Sequence, residues 1–268
     1  MTWTPRSSSL GGYLACEFRA LLDRTAHDAN TPRSGDNDTR YADLGTIVHH
    51  KWQTAIGATF AATAEAPTDE DAVSAARLTD NRVDQMHTLT QTIANRAAGQ
   101  VLATYEGTTD WVAEKSVSRP GFLSGHIDLW SPSLGVVIDL KTTSRKPDHM
   151  RMKPEHLVQL IAYYMLLDGA PRYGVIQYVD SRGGEWALWC VVDYAAPDVQ
   201  AFIGYVREYI NRLNSDVLGS AIPHPGTHCS GTFCPHRAAC KDSFLPGPGM
   251  ILDFNRATPA RGIVTQGL

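Results

Sequence analysis

Residues 123–141 read LSGHIDLWSPSLGVVIDLK, and two apolar runs flank the turn Ser131-Pro132-Ser133. That pattern predicts successive strands over residues 121–130 and 135–141. Side chains alternate faces along a strand, so Asp139 and Lys141 project to one side and Ile138 and Leu140 to the other. Asp128 alternates with Ile127 and Leu129 in the same way. If the strands pair as a hairpin, Asp128 and Asp139 stand side by side. Adjacent carboxylates repel unless a divalent cation neutralises them. A lysine beside them can position or help to deprotonate an attacking water. This chemistry suits hydrolysis of a phosphodiester; the plainer reading is a solvated strand face.

To either side of the hairpin the pattern alternates between helix and strand. Residues 7–25 read as a helix capped by serines, residues 41–60 as a second helix, and residues 69–105 as a third with a break near Gly99. Residues 28–40 are a polar loop. A strand over residues 111–118 precedes the hairpin. Beyond it the pattern predicts a helix over 155–168, strands over 173–180 and 185–193, and a helix over 197–213. Strands inside a helical frame indicate an α/β class. The expected organisation is one domain: a mostly helical region over 1–105, a core over 106–215, a Cys-rich segment over 216–243 closing onto Cys16, and a Pro/Gly-rich tail over 244–268.

Further polar residues fall in order along the chain. His49 near the start of the second helix offers a ring nitrogen, with a surface histidine as the alternative. Gln159 and Tyr163 are four apart and share a helix face; alone, they read as buried hydrogen-bonding residues. Glu114 precedes Asp128 by one strand and is either an aid to metal or substrate placement or an exposed strand residue.

In sequence, Gly45 with His49, Gly125 with Asp128, Asp139 with Lys141, and Gln159 with Tyr163 resemble the ordered signature of RecB-like nucleases in the PD-(D/E)xK superfamily. The resemblance covers residues 41–193. It implies a restriction-endonuclease-like core, a mixed central sheet flanked by helices. His49, Asp128 and Asp139 would be metal ligands, with the backbone carbonyl of Leu140 as a possible fourth. Lys141 would be the catalytic lysine, and Gln159 and Tyr163 would orient the site or contact the DNA backbone. Mn2+ would serve at least as well as Mg2+, because imidazole suits the softer ion.

Five cysteines are present. Cys190 lies in an apolar strand-like run and reads as a small buried hydrophobe. Cys229, Cys234 and Cys240 form a compact thiolate cluster, and Cys16 is the natural fourth member, which would tie the two ends of the chain together. His228 and His236 are possible substitutes. Four thiolates serve zinc or an iron–sulfur cluster equally well. One early cysteine and three beyond the nuclease motifs is similar to the iron–sulfur exonuclease branch, which includes CRISPR-associated, AddB-like and phage-borne enzymes. The resemblance implies a structural [4Fe-4S] cluster and an exonuclease acting on single-stranded DNA or DNA ends. It leaves CRISPR-integration or recombination proteins open as partners. The cluster segment departs from the usual pattern in its longer Cys229–Cys234 interval and in Glu17-Phe18-Arg19 after Cys16.

Composition narrows the classes. With 43% hydrophobic and 19% charged residues and a formal net charge of −4, disorder is ruled out as the dominant state, and a protein that coats DNA nonspecifically, which would normally be basic, loses ground. No apolar run is long enough for a bilayer span, and no secretory leader is legible, so a cytoplasmic location is expected. A net-acidic nuclease still needs cations to receive a polyanion. Arg145, Lys146, Arg151 and Lys153, next to the Asp139–Lys141 strand, are candidates for that strip. Two other readings remain: a nuclease fold that grips DNA or a partner without cutting, and a zinc-stabilised interaction protein.

Overall fold

A computed structural model describes residues 3–28, 40–61, 67, 83–144, 152–183, 186–215 and 263–267. A 3-10 turn over Ser7–Ser9 leads into helices α1 (Leu10–Ala15), α2 (Glu17–Asp28) and α3 (Arg40–Ile56), then strand β1 (Thr59–Phe60) and helix α4 (Val83–Thr104). Strands β2 (Val112–Arg119), β3 (Leu123–Ser131) and β4 (Val136–Thr143) follow. Helix α5 (Pro154–Leu166), strands β5 (Tyr173–Asp180) and β6 (Ala187–Asp193), helix α6 (Pro197–Leu213) and strand β7 (Ile263–Gly267) complete the described chain. The strands form one mixed sheet in the order β1-β2-β3-β4-β5-β6-β7. Among the described residues, no helix is long and apolar enough to cross a membrane.

Helices cover both faces of the sheet. On one face α1, α5 and α6 pack Leu10, Tyr13, Leu157, Ile161, Phe202 and Ile210 against Val137, Ile176 and Cys190. On the other, α3 and α4 pack Val48, Trp52, Ile93 and Val101 against Ile138, Leu140 and Val175. Strands β4 and β5 are parallel, with α5 as the crossover between them, the connection that parallel neighbours require. Pro154 opens α5, where a missing N–H costs nothing. Burial on both faces explains why apolar residues such as Val137, Ile138, Val175 and Ile176 follow one another without alternation in these central strands.

The hairpin expectation holds only at its turn end. β3 and β4 are antiparallel from Ser131↔Val136 to Leu129↔Ile138, and there the ladder stops. Beyond this fork, the free edge of β3 is met by the N-terminal segment. Ser124 N–H donates to Pro5 O at 3.0 Å, and Arg6 bridges to Ser124 in parallel. Asp128 and Asp139 occupy the two lips of the fork.

Several local expectations are corrected. The first helix is interrupted: Cys16 adopts an extended conformation between α1 and α2, and no side-chain hydrogen bond caps α1. The second helix ends at Ile56, because Gly57 takes a φ of 76° and the chain then pairs beside β2 as β1. Gly99 lies within α4 and does not break it. Residues 263–267, within the stretch read as a tail, pair with β6 as β7.

Candidate active site

The site grows from the fork. Asp128 and Asp139 sit where β3 and β4 part, so the Leu140 N–H has no strand carbonyl opposite it. It donates instead to Asp128 Oδ2 at 3.0 Å. Across from Asp128 on β2 stands Glu114, whose φ of 52° is rare for a residue with a Cβ. At this register the sheet changes its allegiance. Leu129 packs into the α3–α4 core, whereas Ile127, two residues away, packs into the opposite one. Strict alternation would send both to one face. The break in the pleat turns Glu114 and Asp128 toward α3.

Helix α3 supplies the remaining wall. His49 Nδ1 lies 3.2 Å from Asp128 Oδ2. One turn later Gln53, fully buried, donates through Nε2 to Glu114 Oε1 at 2.7 Å and to the backbone carbonyl of Asp128 at 2.9 Å. One amide thus positions both acidic residues. Ligand atoms of His49, Glu114 and Asp128 all fall within 4.8 Å of one another. Asp139, fully buried, lies beside this group: Lys141 Nζ approaches its Oδ2 at 2.7 Å and Tyr163 donates to its Oδ1 at 3.3 Å. Gln159 Nε2 donates in turn to the Tyr163 hydroxyl at 2.6 Å.

The electrostatics are those of crowded carboxylates. Burial raises the pKa of Asp139, with Lys141 opposing and Asp128 reinforcing the shift. Burial and the nearby Asp128 raise that of Glu114. For Asp128, burial is outweighed by His49, Lys141 and the Leu140 N–H, and its pKa is held down. For His49 and Lys141, burial opposes the charge, but the acidic neighbours win and raise both values. Lys141 therefore remains an ammonium group. Three carboxylates against two basic groups leave an excess of negative charge at the site, and two of them, Glu114 and Asp128, converge with His49. A hard or borderline divalent cation would relieve it, and imidazole with carboxylate oxygens is a donor set that suits Mn2+ or Mg2+.

The residues singled out in the sequence divide clearly. His49, Asp128, Asp139, Leu140, Lys141, Gln159 and Tyr163 converge on this site, and Glu114 lies with them, its carboxylate within 4.8 Å of the His49 and Asp128 ligand atoms. Lys153 is exposed at the start of α5. Arg145, Lys146 and Arg151 lie outside the described residues, as do Cys229, Cys234 and Cys240. Cys16 is 6% exposed, and Cys190 is fully buried as expected. Gln53 was not singled out, although its place four residues after His49 puts it on the same helix face. Gly125 proves to be a packing position: a Cβ there would collide with Ser7 Oγ and press within 3.2 Å of the Tyr163 ring.

A family model described as the PD-(D/E)XK nuclease superfamily matches residues 7–241. Among solved structures, the crystal structure of SSO0001 matches with a TM-score of 0.36 at 13% identity, over 74% of this chain and 96% of that one. The crystal structure of a phage related exonuclease from Haemophilus somnus 129PT matches with a TM-score of 0.37 at 12% identity, over 82% of this chain and 96% of that one. No curated protein matches the sequence.

Proposed function

We propose that this chain, which belongs to the PD-(D/E)XK nuclease superfamily, is a divalent-metal-dependent deoxyribonuclease. The observation that carries the reading is the convergence of His49, Glu114 and Asp128 within 4.8 Å, with the Asp139–Lys141 pair alongside at 2.7 Å. His49, Asp128 and Asp139 would hold the cation, with Glu114 as a further donor. The carbonyl of Leu140 joins them, because N–H and C=O of one strand residue share an edge and its N–H already meets Asp128. A cation held there would polarise the phosphate and lower the pKa of an attacking water.

The chain's own groups have separable tasks. Lys141, kept cationic by Asp139 and Asp128, orients the water and offsets charge that builds on the phosphate oxygens. Tyr163, with a pKa raised by burial and by both aspartates, stays protonated. Its O–H holds the Asp139 carboxylate, and Gln159 fixes the hydroxyl. Gln53 locks Glu114 and Asp128 from behind. The test is DNA cleavage in Mn2+ or Mg2+, abolished by a chelator and restored by added metal. Metal-independent cutting, or no cutting of any DNA form, overturns the reading.

The finer reading is an exonuclease preferring single strands or ends, with a structural [4Fe-4S] cluster on Cys16, Cys229, Cys234 and Cys240. The ordered motifs and the cysteine arrangement support it. A circular single strand should resist cutting while its linear form is consumed. Protein purified without oxygen should absorb near ~400 nm, and Cys16→Ser should lose iron as fully as Cys234→Ser. Zinc with no such absorbance would replace the cluster, and a full iron load in Cys16→Ser would remove that residue from the set.

A further inference from the structure

Beside Asp128 a cavity of about 370 Å3 runs along the outer half of β3 toward the N-terminal segment. Its walls include Arg6, Ser7, Ser116, Ser118 and His126. Asp128, at the catalytic end, is the one carboxylate among its described lining residues. Everything else of polar character there can donate a hydrogen bond. The volume lies in the ordinary range for small-ligand pockets, roughly 300–1,000 Å3, which suits one nucleotide unit rather than a base-paired duplex.

Ser7 is the informative member. It is 2% exposed and lines the cavity. Its position on the cavity wall is fixed by the packing around it. Pro5 and Arg6 are tied to Ser124 on the free edge of β3. The missing side chain at Gly125 makes the space that Ser7 Oγ occupies. The fork in the sheet, the N-terminal segment and the glycine thus combine to present one hydroxyl donor to a cavity that ends at the catalytic carboxylate.

We propose that this cavity is the subsite for the nucleotide adjoining the scissile phosphate, with Ser7 Oγ and the Arg6 guanidinium donating to that nucleotide's phosphate oxygens. The assignment rests on the nuclease reading for the identity of its ligand. Ser7 and Arg6 position substrate and take no part in bond breaking. A single strand enters such a cavity readily, whereas a paired one must first separate.

The test uses fluorescein-labelled decathymidylate and the full chain in chelator, where binding is read without cleavage. Ser7→Ala should weaken binding roughly tenfold to a hundredfold, the loss of one hydrogen bond to a charged acceptor. Arg6→Gln, at an exposed position, should weaken it comparably and lower the salt slope by about one. A series of the same oligonucleotide with one neutral methylphosphonate at successive linkages supplies the second readout. One position should penalise the wild type, and that penalty should shrink in each variant, which keeps only one of the two donors. Wild-type affinity in both variants, or a methylphosphonate penalty that persists undiminished in both, overturns the subsite. A wild type that binds through Ser7 and Arg6 but never cuts in Mn2+ overturns the nuclease reading and leaves the subsite standing. A wild type that cuts but is indifferent to both substitutions does the reverse, and a wild type that binds no DNA overturns both.

Discussion

The two ladders that flank β4 differ sharply. Toward β5, pairing is continuous from Val136↔Tyr173 to Thr143↔Asp180. Toward β3, it ends after Leu129↔Ile138. The continuous side gives β4 a fixed pleat, so Asp139 and Lys141 emerge from a strand whose position is over-determined. The interrupted side releases a backbone N–H for Asp128, admits the N-terminal segment and opens the cavity. Rigidity and access are thus divided between the two edges of one strand.

Substitutions on the rigid edge should have the largest effect. Asp139→Asn and Lys141→Ala should each lower single-turnover DNA cleavage by roughly 10²–10⁴-fold, with a melting temperature near that of the wild type for Asp139→Asn. Cleavage within a few-fold of wild type in either would detach the pair from the chemistry. The same edge should carry the stability. Leu160→Ala, on the buried face of α5, should cost about 2–5 kcal/mol in urea denaturation. Truncating Ser116, on the exposed outer half of β2, should cost about 0.5 kcal/mol or less. Equal losses would erase the contrast.

At the fork itself, stability and function should separate. Glu114→Gly removes a side chain from a φ of 52° and one carboxylate from a crowded group. Relief of the left-handed backbone, about 1–2 kcal/mol, is offset in part by the freer unfolded chain. The variant also loses the bond from the buried Gln53 amide, so it should melt near the wild-type temperature while Mn2+ binding, followed by calorimetry, weakens. Weaker folding with unchanged metal affinity would assign Glu114 to structure alone.

The smallest effect belongs to the hairpin's turn. Asp110 accepts hydrogen bonds from Ser131 Oγ at 2.6 Å and the Ser133 N–H at 2.7 Å, and the Ser131 bond is the leading cause of its lowered pKa. A depressed carboxylate stabilises the fold above its unfolded pKa and loses that contribution as pH falls through the folded value. Asp110→Asn should therefore cost about 1 kcal/mol or less at neutral pH, and the gap to wild type should close in acid. A gap that widens in acid would reverse the assignment.

The difference between the two ladders also marks how far the sequence could be read. β5 and α6 fall where the pattern predicts them, because apolar residues buried in a continuous ladder or along one helix face impose their period on the chain. The ordered residues His49, Asp128, Asp139, Lys141, Gln159 and Tyr163 were legible because each motif is local. β1 and β7 were not, since a strand of two residues and one beyond a Pro/Gly-rich stretch exist only through the neighbours they pair with. Cys16 as a helix break and Gln53 as a double donor were hidden for the same reason, as each is set by partners distant in sequence.

The sequence by itself determined the α/β class, the central strands and the residue types that can hold a cation and move a proton, since these follow from period and local spacing. Tertiary structure alone decided that the β3–β4 pairing stops at Leu129, that Glu114 stands beside His49 and Asp128, and that Ser7 reaches the cavity next to them. Those outcomes depend on which distant backbone fills an open edge of the sheet, and hydrogen-bond partners across more than a hundred residues leave no periodic trace in the chain.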